Sequence, residues 1–141
     1  MVAYDHFISR AMIDKLAWIR LEDGAILTAR SRHRDAYYIP GGKREPGELD
    51  QEALLREIKE ELSVDLIPET VRLVGQFEAQ AHDKPAGTLV RMRCYAADYC
   101  GELAPAAEIE EMAWLTYADR ANVSAVAQLI FDALHQAGLL R

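Results

Sequence analysis

The stretch GGKREPGELDQEALLREIKEELSVD, Gly41 to Asp65, decides the fold. It opens on a glycine pair suited to a tight turn and runs into a helix expected over Asp50–Leu62. Glu48 and Asp50 stand at the start of that helix, where negative charge suits the macrodipole. Leu54, Leu55, Ile58 and Leu62 form an apolar stripe that can seat the helix on a core. Beside the stripe, Glu57, Glu60 and Glu61 recur three and four residues apart and so share a face. Carboxylates crowded in this way repel one another unless something positive sits among them, and a hard divalent cation takes oxygen ligands of this kind. An acidic helix is ordinarily only a solvated face, and Arg56 with Glu60 is an ordinary i,i+4 pair. The spacing along the whole stretch separates the two readings.

Upstream of it, a strand-like run from Leu16, the turn signal Glu22-Asp23-Gly24 and a return strand over Ala25–Ala29 predict a hairpin. Residues 1–13 fit a short helix or an irregular arm. Arg30, Arg32, His33 and Arg34 crowd a polar loop, and Tyr37-Tyr38-Ile39 reads as a short strand stopped by Pro40. Downstream, strands are expected over Val71–Ala81, Thr88–Tyr99 and Glu110–Leu115, with a turn over His82–Gly87. A final helix, capped by Asp119 or Asn122, carries Val123, Val126, Ala127, Ile130, Phe131 and Leu134 at helical spacing. Trp18 and Trp114 are read as core. The pattern predicts an α/β fold, a mixed sheet with helices on both faces.

The chain has 141 residues, which suits one domain spanning residues 1–141. A formal net charge of −7 argues against binding a nucleic-acid polymer, though a few local cations can still receive phosphates. No apolar run is long enough to span a bilayer, and acidic residues stand where a signal peptide wants basic ones, so a cytoplasmic location is expected. Cys94 and Cys100 fit no zinc spacing and are read as free thiols.

From Gly42, five residues lead to Glu48, and seven more lead to Arg56-Glu57, followed by Ile58, Lys59, Glu60-Glu61, Leu62, Ser63 and Val64. This spacing resembles the signature box of the Nudix hydrolases, matching each specified position except a second glycine, which is Ser63 here. The resemblance implies an α/β/α sandwich with a mixed central sheet. It also implies Mg²⁺- or Mn²⁺-dependent hydrolysis of a nucleoside diphosphate linked to another group. Carried over by position, Glu57, Glu60 and Glu61 match metal ligands, and Gly42 matches the loop glycine whose carbonyl can reach a metal. Arg56 matches the arginine that holds the glutamates, and Glu48 the first glutamate of the box. Glu57 is the expected general base. Glu111 is the expected extra carboxylate from a later segment, with Glu110 behind it.

Among residues outside the box, Arg32 and Arg34 are candidates for substrate phosphates and Tyr38 for a base; Tyr37 and Tyr38 point to opposite faces of an extended segment. Ala79, Gln80, Ala81 and His82 stand where some family members carry a proline or tyrosine tied to other substrates. By elimination the expected reaction is that of the mutator-suppressing type, a nucleoside triphosphate giving the monophosphate and pyrophosphate, with Asn122 placed to read a base edge. Nucleotide-sugar or ADP-ribose pyrophosphatase activity, and a non-catalytic nucleotide sensor, are the alternatives. The family resemblance also implies a possible homodimer. Ser63 stands where the glycine would end the helix in a left-handed turn.

Overall fold

A computed structural model describes residues 12–81 and 84–141. The segment expected as a helix or arm lies, through residue 11, outside the described residues, as do His82 and Asp83 of the expected turn.

Strand β1 (Met12–Ile19) is the centre of the molecule. It pairs in parallel with β7 (Leu89–Ala96) and antiparallel with the short β4 (Gly41–Gly42), while β6 (Arg72–Gln80) closes the far edge, giving the order β4-β1-β7-β6. A second, antiparallel sheet holds β2 (Leu21–Glu22), β3 (Ala25–Ser31) and β9 (Ile109–Leu115), and β5 (Asp65–Leu66) pairs with β8 (Tyr99–Cys100). The mixed pairing and the α/β class are as expected, with the strands divided among three sheets.

Alternation along β1 creates two cores, because successive side chains leave opposite faces of a strand. Leu16 and Trp18 pack with Leu54, Ile58 and Leu62 of helix α1 (Asp50–Leu62). Ala17 and Ile19 pack with Val126, Ile130 and Phe131 of helix α2 (Ala125–Gln136). Burying each such leucine or isoleucine contributes about 1.5–3 kcal/mol. Trp18 satisfies its indole by donating to the Ala97 carbonyl at 3.0 Å inside the α1-side core.

Helix α1 occupies the expected residues, and its first turn is tied by Glu52, whose carboxylate accepts from the Leu49 amide at 2.8 Å. Five expectations shift. The hairpin is confined to β2–β3, with Asp23 (φ 53°) and Gly24 (φ 77°) both left-handed as a tight hairpin turn requires; β1, buried on both faces, joins the other sheet. The long strand to Tyr99 breaks after Ala96. Tyr37 and Tyr38 make single bridges to Val123 and Ala29 and form no strand. Asp119 caps a 3₁₀ turn (Tyr117–Asn122), accepting from the Thr116 amide at 3.0 Å, and α2 starts later, at Ala125. Trp114 is 40% exposed on β9 and is not core. Cys94 is buried, Cys100 is exposed, and both are free thiols, as read.

Candidate active site

The site is built where the glycine pair crosses the middle of β1. Gly41 (φ 154°) pairs with Ala17 so closely that a Cβ there would overlap the Leu16 carbonyl. A Cβ on Gly42 would collide with the Glu57 carboxyl group, so the missing side chain leaves the space that the carboxylate fills. One turn later on α1, Glu61 accepts from the Gly41 amide at 3.3 Å. The glycines thus dock the acidic face of the helix against the sheet.

Glu57 and Glu61 line a cavity of about 490 Å³. Glu60 does not line it; its side chain is 53% exposed and lies 3.3 Å from Arg56 Nη1. The face predicted to hold three glutamates therefore turns two of them inward. Arg56 spans the acidic cluster from outside the cavity. Its Nε and Nη2 donate to the two Glu48 oxygens at 2.7 and 2.8 Å, and Nη1 donates to Glu57 Oε1 at 2.9 Å. This two-pronged grip on Glu48 is the geometry in which a guanidinium binds a carboxylate best. It holds the Glu48 carboxyl at about 2, well below the usual range, with a bond from the Glu45 amide adding to the effect.

The cavity carboxylates are shifted the other way. Glu61 is 7% exposed, and burial first, then the neighbouring Glu57 charge, pushes its pKa up to about 8. Burial also raises Glu57, against the pull of Arg56. Lys15 and Lys43 line the same cavity, as does Arg34. The walls between them are apolar: Ile13, Ile39, Val90, Met92 and Val126.

The segment expected to supply a further carboxylate brings a different glutamate to the cavity. Glu111 sits opposite Arg30 in the β3–β9 pair, accepts from it at 3.1 Å and does not line the cavity; Glu110 is 3.3 Å from the same guanidinium. Glu108 lines the cavity instead. The end of α1 places it, because the Leu62 and Glu61 carbonyls accept from the Ala104 and Ala106 amides at 3.0 and 2.9 Å. Those bonds fasten the loop before β9 to the helix that carries the other glutamates. Ser63 takes part in the same junction. It adopts the left-handed conformation (φ 69°, ψ 13°) that the box glycine would adopt, and its hydroxyl donates to the Ala104 carbonyl at 3.0 Å.

Of the substrate-binding candidates, Arg34 and Tyr38 line the cavity and Arg32 does not; Arg32 contributes its backbone amide to the Glu108 carbonyl at 3.0 Å. The Tyr38 hydroxyl is 2.6 Å from Ser31 Oγ, and burial raises its pKa to about 12, so it stays protonated. Tyr37 packs against the α2-side core. Asn122 is exposed and does not line the cavity. Among the charged cavity residues, Glu108, Lys15, Lys43 and Lys84 escaped the sequence reading. Glu108 was masked by the neighbouring glutamates of EIEEM, Lys43 by the box around it, and Lys15 by a strand start placed at Leu16, four residues after the observed start at Met12. A lysine alternating with Ile13 and Ala17 was the signal that could have found the last.

No group of three His, Cys, Asp or Glu side chains among the described residues converges closely enough to hold a metal ion. The donor chemistry still fits a hard divalent cation. Glu57 and Glu61 are paired carboxylates whose burial raises their affinity for a proton, whose place a cation could take, and the Gly42 backbone lies against Glu57.

The NUDIX domain family model matches residues 14–132. Among curated proteins, the chain is 31% identical over 108 residues to the CTP pyrophosphohydrolase of Escherichia coli (strain K12), covering 73% of this chain and 75% of that one. It is 46% identical over 51 residues to human 8-oxo-dGDP phosphatase NUDT18, a match spanning 36% of this chain and 16% of that longer protein. Among solved structures, the E. coli ORF135 protein superposes with a TM-score of 0.70 at 27% identity, covering 91% of this chain and 94% of that one. The MutT protein of Methanosarcina mazei Go1 shares the fold at a TM-score of 0.72 and 19% identity, covering 92% and 96% of the two chains. Among the described residues no helix is long and apolar enough to cross a membrane.

Proposed function

The chain belongs to the NUDIX domain family, and on that premise we propose that it is a Mg²⁺- or Mn²⁺-dependent pyrophosphohydrolase that cleaves a nucleoside triphosphate to the monophosphate and pyrophosphate. One observation carries the reading: Glu57 and Glu61 open into the same cavity as Lys43 and an apolar wall. Such a cavity offers a place for a cation, for phosphate oxygens and for a base within one envelope of nucleotide size. The likeness to a CTP pyrophosphohydrolase supports the choice of a nucleoside triphosphate.

The reaction adds water across one P–O–P linkage. The water oxygen bonds to one phosphorus, the bridging oxygen leaves with the other, and the water's proton passes to a carboxylate. Glu57 is the residue assigned to take that proton, because burial raises its affinity for one and Arg56 fixes its orientation at 2.9 Å. Glu57 and Glu61, with the Gly42 carbonyl, would hold the divalent cation, and Glu60 is the reserve ligand just outside. When bound, that cation neutralises phosphate charge and acidifies a water. Glu108, in the place first given to Glu111, adds the third cavity carboxylate. Lys43 and Arg34 meet the phosphates, and Tyr38 borders the base. The whole activity is assigned to this single domain.

The test is a panel of normal and oxidised nucleoside triphosphates, nucleotide sugars, ADP-ribose and dinucleoside polyphosphates, each with and without Mg²⁺ and with products identified. Pyrophosphate and a monophosphate from a triphosphate, only with metal, are expected. Turnover confined to nucleotide sugars or ADP-ribose would move the substrate assignment, and no turnover of any compound would remove the enzyme reading.

A further inference from the structure

Lys15 is the one charged residue in the inward-facing series Ile13, Lys15, Ala17, Ile19 on the central strand. Its flanking positions on that face pack into the α2-side core. Across the parallel pair it stands beside Met92, and Ile13 stands beside Val90. On its other side β1 pairs with β4, where Leu16 meets Gly42, the residue that lies against Glu57. The lysine therefore stands on the apolar α2-side face of β1 and lines the same cavity as the carboxylate pair. It lines the cavity and forms no ion pair with another described residue, although it feels the charges of Glu61 and Glu57.

This placement works against folding. An ammonium group has three donors and no acceptor, and sinking it among isoleucine, valine and methionine side chains costs free energy unless a counter-charge arrives. Burial accordingly lowers the Lys15 pKa, with the Lys43 charge adding to the effect. The cavity carboxylates would not meet the need once a divalent cation occupied them, because the ion would neutralise their charge while Lys43 and Lys84 line the same cavity. What remains to satisfy it is an anionic oxygen on the bound substrate.

We propose that Lys15 is a phosphate-binding, specificity-determining residue, donating to a non-bridging phosphate oxygen of the substrate from the floor of the cavity. The inference rests on the pyrophosphohydrolase reading for its substrate. It can be tested without turnover. Because the side chain sits on a rigid central strand and not in a loop, its contact selects for phosphate placed at one depth in the cavity.

The probes are inorganic tripolyphosphate and an uncharged nucleoside, each titrated calorimetrically into the wild type and the Lys15→Met and Lys15→Arg variants with Mg²⁺ present. Lys15→Met is expected to weaken tripolyphosphate binding at least tenfold, to leave nucleoside binding within twofold, and to melt no lower than the wild type. Lys15→Arg should recover part of the loss, since it restores the charge. Unchanged tripolyphosphate affinity in Lys15→Met overturns the proposal, as does a loss confined to the nucleoside, which would make Lys15 a base contact. A variant that melts well below the wild type hands the reading to Lys15→Arg, whose tripolyphosphate affinity must then stay within about tenfold of wild type. If the wild type binds tripolyphosphate through Lys15 yet hydrolyses no nucleotide, the reaction assignment fails and the phosphate contact stands.

Discussion

Arg56 Nη1 donates to Glu57 Oε1 at 2.9 Å while the rest of the same guanidinium grips both oxygens of Glu48. One cation outside the cavity thus sets the orientation of the carboxylate assigned to the chemistry inside it. A lysine cannot copy this, because a single ammonium has no planar fork. Arg56→Lys should therefore lower kcat/KM by about 10- to 100-fold, as loss of an outer partner of a metal ligand commonly does. The fall should appear in kcat and in the Mg²⁺ concentration needed for half activity, and steady-state kinetics across a metal titration reads both. A loss seen only in KM would mean that Arg56 acts on the substrate and not through Glu57.

Glu108 and Glu111 make a paired test. Glu108 lines the cavity, and Glu111 is ion-paired to Arg30 on β9. Glu108→Gln should reduce kcat by about 10- to 100-fold. Glu111→Gln should leave activity within about twofold, since an exposed pair with Arg30 adds little to stability and nothing to the cavity. The reverse ranking would return the later carboxylate to Glu111.

Ser63 is held at φ 69° and donates to the Ala104 carbonyl. A left-handed residue other than glycine costs about 1–2 kcal/mol, and a typical hydrogen bond contributes about 0.5–1.5 kcal/mol, so the two nearly offset. Ser63→Gly should be close to neutral in chemical denaturation. Ser63→Ala keeps the strain and loses the bond, and should destabilise by ~1 kcal/mol. If alanine were neutral, the Ala104 contact would carry no weight.

The metal-free protein should lose stability as pH rises. The Glu61 carboxyl has its folded pKa raised to about 8 by burial and by Glu57. Between the ordinary carboxylate range and about 8, the folded state keeps a proton that the unfolded chain has released, so rising pH favours unfolding across that window. The melting temperature measured in chelator should fall from pH 5 toward pH 8, and Glu61→Gln should flatten the slope. Added Mg²⁺ should raise the melting temperature more at pH 8 than at pH 5, because the ion must displace that proton. A melting temperature that climbs through this range in chelator would contradict the buried placement of Glu61.

The helix and its glycine turn were legible because each carries a local signal: apolar spacing on Leu54, Ile58 and Leu62, charge at Asp50, and a glycine pair. Sheet membership was not. Whether β1 folds back on β3 or lies between β4 and β7 depends on contacts from Gly41 and Leu89, far along the chain, and the apolar residues at Leu16–Ile19 suit either partner. In the site, the box placed Glu57 and Glu61, since helical spacing fixes their shared face. It did not separate them from Glu60, because the side of the helix that meets the cavity is set by the packing of Gly42 against Glu57. Glu108 was out of reach because three glutamates crowd the start of β9, and the loop bonds to Leu62 and Glu61 decide which one enters.

The most direct measurement is a Mn²⁺ titration followed by electron paramagnetic resonance, in which the free ion's signal falls as it binds, on wild type, Glu57→Gln and Glu61→Gln at pH 8. The wild type should take up Mn²⁺, and each variant should bind it at least about tenfold more weakly while keeping the wild-type fold by circular dichroism. Equal Mn²⁺ affinity in all three folded proteins would contradict the assignment of the catalytic cation to the Glu57–Glu61 pair.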